Sequence, residues 1–196
     1  MKKKFYIIDA ATRLFATQGF DATTTIQISE EASVTEPLLY YHFKGKDELY
    51  TSILNSVFNE YFVRLESLKM ETQTWFDKIA NIIALHYQLI EEKPYEFYLT
   101  ITPYPTRLKD PEDVYSKNMK RQANWFKTYF SNCLRKGMKS GEFVKVSVPD
   151  TTKLLVLLVK DILRQQGVSS KANKKARNAI FIRSHFNILT RLLGFL

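Results

Sequence analysis

TEPLLYYHF (residues 35–43) packs three aromatics, two leucines and a histidine into nine residues, with SV before it and KGK after. On an α-helix, positions 36, 37, 40, 41 and 44 share one face while Leu39 and Phe43 share the opposite one. Burying Leu39 and Phe43 contributes roughly 1.5–3 kcal/mol each, whereas ordering the backbone costs about 1–2 kcal/mol per residue. So short a helix cannot stand alone and must lean on the helices around it. Glu36, Pro37, Tyr40 and Tyr41 are then left outside that core, on a supported surface suited to contact.

Working outward, almost every segment reads as helix, and strand signals are nearly absent. Residues 4–18 place Ile8, Ala11 and Phe15 three and four apart, with Ile7 and Leu14 beside them, and Gly19 stops that helix as a left-handed C′ residue. Thr23, Thr24 and Thr25 offer hydroxyl N-caps for a short helix through Ala32. Ser33-Val34 is a tight connection, Thr35 is placed to cap the next helix, and Pro37 is tolerated in its first turn. After Gly45 a long amphipathic helix is expected from 46 to about 69, with Leu49, Ile53, Val57, Tyr61 and Leu65 four apart. Further helices are expected at about 73–92, 95–102, 112–138, 150–166 and 172–195, separated by Pro94, PYPTRLKDP (103–111), GMKSGEF (137–143) and QQGVSSKAN (165–173). The fold class is all-α.

Composition agrees with a folded chain: of 196 residues, 45% are hydrophobic and 25% charged, which is not the balance of a disordered protein. The longest apolar run, LLVLLV (154–159), lies between Lys153 and Lys160, far short of the about 20 residues a membrane span needs. With a single cysteine, Cys133, and no leader-like start, the chain is expected to be soluble and cytoplasmic, with no membrane partner. The net charge of +9 is unevenly spread: residues 1–50 hold six Lys/Arg against seven Asp/Glu, so the excess cation lies beyond residue 50. Bulk charge is therefore no argument for DNA binding.

Three helices with a short turn between the second and third form a helix-turn-helix pattern. AATRLFATQGFDATTTIQIS followed by EEASVTEPLLYYHFKGKDELY resembles the DNA-binding head of the tetracycline-repressor (TetR/AcrR) family of bacterial regulators, over about residues 5–50. The order AxxLF, G-F, a threonine cluster, I-S-x-x-A, V-T, then LYYHF-K-x-K-x-E-L is specific. The resemblance implies a helix-turn-helix head at 1–47 that reads double-stranded operator DNA. It also implies a body at 48–196 that binds a small effector and dimerises. Function would then be that of a ligand-responsive regulator, a repressor binding a palindromic operator as a homodimer and released by a small amphipathic molecule. By motif position, Thr24 and Thr25 fall where the second helix meets phosphate. Thr35, Glu36, Pro37, Tyr40 and Tyr41 fall on the recognition face, His42 borders it, and Lys46 is placed for a phosphate contact. Two departures weaken the cationic surface: Ile26 and Glu36 stand where the family often has a basic residue. Glu36 cannot favour phosphate, but a carboxylate accepts from cytosine N4. Lys2, Lys3 and Lys4 either lie along the DNA or form a solvated terminus; the sequence leaves both open.

In the body, the last helix spaces Ala179, Ile182, Phe186, Leu189, Leu193 and Leu196 at threes and fours, a packing seam of nearly two heptads. The preceding helix is apolar almost all round. Leu155, Leu158 and Ile162, with Ala179, Ile182, Phe186, Leu189 and Leu193, are therefore the expected interface with a second copy; closure of the chain's own core is the alternative. The middle of the chain is rich in aromatics, and an effector pocket is expected around Trp75, Ile79, Ile83, His86 and Tyr87, together with Phe97, Trp125 and Tyr129. Whether the effector is a hydrophobic cation, met by Glu60, Glu91, Glu92 or Glu96, or an acidic or acyl compound, met by the basic excess, stays open. A ligand preferring one packing of the body, through the angle of the fourth helix, would change operator affinity. His42, His86, His185 and Cys133 show no nucleophile–base or metal-ligand spacing, and no glycine-rich phosphate loop occurs, so neither enzyme activity, metal nor cofactor is expected. The other reading is a helical ligand-binding or interaction protein with weak or lost DNA binding.

Overall fold

The computed structural model describes residues 2–68, 74–110, 112–165 and 174–194, with side chains described outside 163–182. Among the described residues the chain is all-α. Its helices run in the order α1 (Lys2–Gln18), α2 (Thr25–Glu31), α3 (Glu36–His42), α4 (Lys46–Ser67), α5 (Trp75–Glu92), α6 (Pro94–Ile101), a 3-10 turn (Thr106–Leu108), α7 (Val114–Lys139), α8 (Val148–Gln165) and α9 (Lys174–Leu193). The expected helices all form, with ends shifted by up to about two residues.

The helices gather into two compact units, one of Met1–Glu60 with Lys93–Met119, the other of Tyr61–Glu92 with Lys120–Leu196. The division falls inside α4 and α7. In the first unit, α1 packs against α2, α3 and α6. Ile7, Ala11 and Phe15 of α1, Ile28 of α2, Leu39 of α3 and Leu49 and Leu54 of α4 are buried together in this core. An aromatic ladder extends it: Tyr50 meets Phe15 and Phe20 at 5.2 and 4.9 Å between ring centroids, then Tyr104 at 6.0 Å, and Tyr104 stacks on Tyr115 at 5.0 Å. Burial raises the Tyr50 phenol and pushes that of Tyr104 up to about 12. Arg107 closes the same side by pairing with Asp47 while its guanidinium lies 4.6 Å from the Phe20 ring centroid.

In the second unit, α5 supplies the central apolar helix and packs against α8 and α9. Ile79, Ile82, Ile83 and Leu89 are buried, as are Phe126, Phe130 and Leu134 of α7, and the His86 ring lies 5.8 Å from that of Phe126. The start of α5 is capped from a distance: the Glu142 carboxylate accepts from the Trp75 and Phe76 backbone N–H groups at 3.0 and 2.6 Å. Nothing local in the sequence announces that cap. Gly137 admits a close approach, because a Cβ there would lie 2.2 Å from the Phe143 ring.

Candidate functional site

The head is built from two capped helices joined by a fixed turn. Thr24 is the N-cap of α2: its hydroxyl accepts from the Gln27 N–H at 3.2 Å, and the Gln27 side chain accepts from the Thr24 N–H at 3.0 Å, a complete capping box. At the other end Ser33 takes φ +51°, its N–H donates to Glu30 at 3.0 Å and the Val34 N–H donates to Ser29 at 2.9 Å. That is a Schellman motif with serine at the left-handed position glycine usually fills. The turn therefore sets the angle between α2 and α3. Thr35 occupies the N-cap of α3 but its side chain makes no cap bond there, in contrast to the expected role.

α3 is anchored as its spacing requires. Leu39 is fully buried and Phe43 nearly so, while Tyr40 and Tyr41 are 50% and 81% exposed. Phe43 leaves the helix, in extended backbone, yet its N–H still donates to the Leu39 carbonyl at 2.9 Å and its ring stays in the core. Thr35 and Pro37 are exposed, and His42 is half-buried with its ring 5.1 Å from Tyr41.

The polar groups on this face are ordered by one chain of hydrogen bonds. Thr25 Oγ1 donates to Glu36 Oε1 at 2.7 Å and lies 3.3 Å from the Tyr40 hydroxyl. Since the ionised carboxylate only accepts, Thr25's single proton is spent on it, and the Tyr40 hydroxyl donates to Thr25. The Tyr40 hydroxyl, on a side chain 50% exposed, then keeps acceptor capacity toward solvent. Such a surface suits the amino groups of cytosine or adenine in a major groove. Tyr41 keeps its proton free for a phosphate.

Lys46, expected at a phosphate, is turned toward its own chain. Its ammonium donates to the carbonyls of Phe20 at 2.8 Å, Asp21 at 3.2 Å and Thr23 at 2.8 Å, so all three donors serve the head's own loop rather than a phosphate. Burial, followed by the charge of Arg107, lowers its pKa. Arg13 pairs with Asp9 at 3.1 Å and Glu31 at 3.3 Å. Lys2, Lys3 and Lys4 are not a loose terminus but the first turn of α1: Lys3 Nζ donates to the Ser33 carbonyl at 3.4 Å and Lys4 Nζ sits 5.2 Å from the Phe43 ring centroid. Two lysines therefore flank the turn and the end of α3.

The body does not gather the eight expected pocket residues around one cavity. Ile79, Ile83, His86 and Tyr87 are core, and Phe97 is buried within the other unit. His86 Nδ1 donates to the Ile82 carbonyl at 2.6 Å, so Nε2 accepts from the Tyr61 hydroxyl at 2.9 Å; burial depresses its pKa to about 4 and raises that of Tyr61. The Tyr87 hydroxyl lies 2.9 Å from His185 Nδ1, and burial pushes its own pKa up to about 12. Trp75 is half-buried, with the Lys136 ammonium 5.1 Å from its ring. Trp125 and Tyr129 stack at 4.6 Å and line an open hollow on α7.

A cavity of about 670 Å³ lies elsewhere, between α7 and α8. Lys127, Ser131 and Arg135 form its α7 wall, and Val148, Pro149, Thr152, Val156 and Leu157 line the other side with Lys153. The spacing 127, 131, 135 is visible in the sequence, but reads there as a solvated face.

The expected dimer seam is also revised. Leu155, Ile162, Leu189 and Leu193 are buried within this chain's own core, and Phe186 is half-buried with its ring 6.5 Å from Phe76. Ala179 and Ile182 lie outside the described side chains. Outward-facing instead are Leu154 (51% exposed), Leu157 (59%) and Ile188 (48%), which border a second apolar hollow with Leu158 and Leu192. Among the described residues no cluster of three metal-binding side chains occurs, and no helix is long and apolar enough to cross a membrane.

Comparison with known proteins places the head. The family model for bacterial regulatory proteins of the tetR family matches residues 7–53. The fatty acid metabolism regulator protein of Bacillus subtilis is 28% identical over 88 residues, 45% of this chain and 45% of that protein. The chain spans about half the length of the curated relatives it matches. Among solved structures, the ketosteroid transcriptional regulator KstR2 of Mycobacterium tuberculosis aligns with a TM-score of 0.79 at 15% identity, covering 98% of this chain and 95% of that one. The regulator FadR of B. subtilis in complex with stearoyl-CoA aligns at 0.68 and 18%, covering 98% and 100%. At these identities the structural likeness establishes a shared fold.

Proposed function

From a chain that belongs to the tetR family of bacterial regulatory proteins, we propose a ligand-responsive transcriptional repressor, not an enzyme, that acts in the cytoplasm. It reads a two-fold operator as a homodimer through residues 1–47, with 48–196 as effector-binding and dimerising body. One observation carries the reading: Leu39 and Phe43 are buried while Tyr40 and Tyr41 stand outward on so short a helix. Base contacts are assigned to Glu36 and Tyr40, and phosphate or sugar contacts to Thr24, Thr25, Thr35, Pro37, Tyr41 and His42. A single head buries too little DNA for specificity, so two half-sites are required. The proposed interface is the outward apolar face of Leu154, Leu157 and Ile188. The stearoyl-CoA held by the B. subtilis FadR structure supports an acyl-type effector. A coupling of about 1–3 kcal/mol between effector and operator would change affinity roughly 5- to 150-fold.

The test is selection of bound duplexes from random-sequence DNA with the full chain, repeated in the presence of a metabolite extract. An enriched inverted repeat, released by the extract, is the expected result. No enrichment at any salt concentration would favour the second reading, a helical ligand-binding protein without an operator. The head's excess of acids and the internal use of Lys46 support that reading.

A further inference from the structure

We infer that the groove between α7 and α8 binds an anionic amphiphile, an acidic head group on an apolar chain. The inference rests on the ligand-responsive reading above and says where on this chain such a ligand would sit. The volume of about 670 Å³ falls within the about 300–1,000 Å³ range of small-molecule sites. Its apolar walls come from Val148, Pro149, Val156 and Leu157. Ser131 and Thr152 hydrogen-bond to each other across it at 3.1 Å, so each hydroxyl has a partner and only one of their two protons remains to be directed at a ligand. Lys127 and Arg135 stand one turn, four residues, either side of Ser131 along the helix stripe, separated by about 12 Å of helix. Neither makes an ion pair among the described residues, so both are available to a carboxylate or phosphate at either end of the groove.

Charge also separates this occupant from the alternatives. No carboxylate lines the groove among the described residues, and the neighbouring Asp150 is held by Lys153 at 3.7 Å and by the Ser147 hydroxyl at 2.7 Å. A hydrophobic cation would find three like charges and no partner. A second copy of this chain would carry the same three cations to the contact. The adjoining face of Leu154, Leu158 and Ile188 has no cation in its lining and suits self-association better. Leu157 lines both surfaces, so a chain inserted in the groove presses on the residue that also faces the proposed partner.

Calorimetric titration of the full chain with dodecanoate, and with dodecyltrimethylammonium as the isosteric cation, tests this below the micelle concentration of each. One dodecanoate per chain is expected, with the cation at least ten-fold weaker. The double variant Lys127→Glu/Arg135→Glu should lose at least ten-fold in affinity for dodecanoate, and Lys127→Arg/Arg135→Lys should retain it. Val156→Trp, checked by thermal melting, should block the groove. If that variant does not fold, the charge variants decide alone. Dodecanoate affinity unchanged in the charge-reversed variant means that the anion sits elsewhere and overturns the site, leaving the repressor reading untouched. Equal affinity for the cation overturns the ligand class. A dimer that becomes monomeric in Val156→Trp identifies the groove as an interface between copies and overturns it too. Failure of the DNA selection would sink the repressor reading without altering any of these outcomes.

Discussion

Lys46 carries one charge and three donors, and all three donors are directed at carbonyls of the loop after α1. Its position in the motif suggests a phosphate contact; its surroundings give it a structural task. Replacing Lys46 by Met should therefore leave three carbonyls short of a donor and destabilise the protein by about 1–3 kcal/mol, measured by urea unfolding. The salt dependence of operator binding should not change, and a shallower slope would restore Lys46 to the DNA surface. His86 makes the opposite point, because its identity as a core histidine is settled by two hydrogen bonds no spacing rule reveals. With its folded pKa near 4 and an unfolded value near 6.5, the unfolded chain takes up a proton that the folded chain refuses. Its contribution to stability is complete above pH 6.5 and is lost as the pH falls toward 4, by about 2 kcal/mol at pH 5. His86→Gln, which can still accept from Tyr61, should lack that part of the pH dependence when the two are compared by urea unfolding between pH 7.5 and 4.5. Parallel curves for variant and wild type would mean that His86 already titrates normally.

The turn between α2 and α3 is an element whose geometry was legible from Ser33-Val34 but whose strain was not. Serine at φ +51° pays a steric cost glycine does not. Ser33→Gly should raise the stability of the head by up to about 1 kcal/mol, visible as a higher melting temperature, with the Schellman bonds retained. A lower melting temperature would show that the serine side chain supplies something the backbone bonds do not. α7 offers the reverse case. GMKSGEF marks the end of α7, which runs through Gly137 to Lys139 against an expected end at about 138, and the glycine serves packing against Phe143 rather than termination. Gly137→Ala should displace that ring and destabilise by about 1–3 kcal/mol, against the small gain alanine brings to an exposed helix. A variant as stable as wild type would mean the loop yields freely. α8 explains the revised dimer seam: LLVLLV is apolar on every face, so periodicity alone cannot say which leucines turn inward, and Leu155 proved to be core while Leu154 and Leu157 did not.

For the whole molecule, charge location matters more than the net value of +9. Of the head's six cations, Lys46 directs all three donors inward and Arg13 is ion-paired, whereas Lys3 gives one donor to Ser33 and Lys4 lies over Phe43, so both keep donors, with Lys2 and Lys44, for phosphates. Two heads bring eight such lysines, so the slope of log affinity against log salt should be no steeper than about −7, at about −0.9 per neutralised phosphate. Fluorescence anisotropy of a labelled operator between 50 and 300 mM salt measures it, and a steeper slope would bring in cations from outside the head. By itself the sequence determined the helices, the helix-turn-helix order and the outward tyrosines, because these follow from local periodicity, capping residues and a motif confined to about fifty contiguous positions. Tertiary structure alone decided which face of α8 is core, which donors Lys46 spends and where the groove lies. Those depend on partners far apart in the chain, such as Ser131 with Thr152 and Glu142 with Trp75 and Phe76, and on burial that converts an apparently available polar group into a satisfied one.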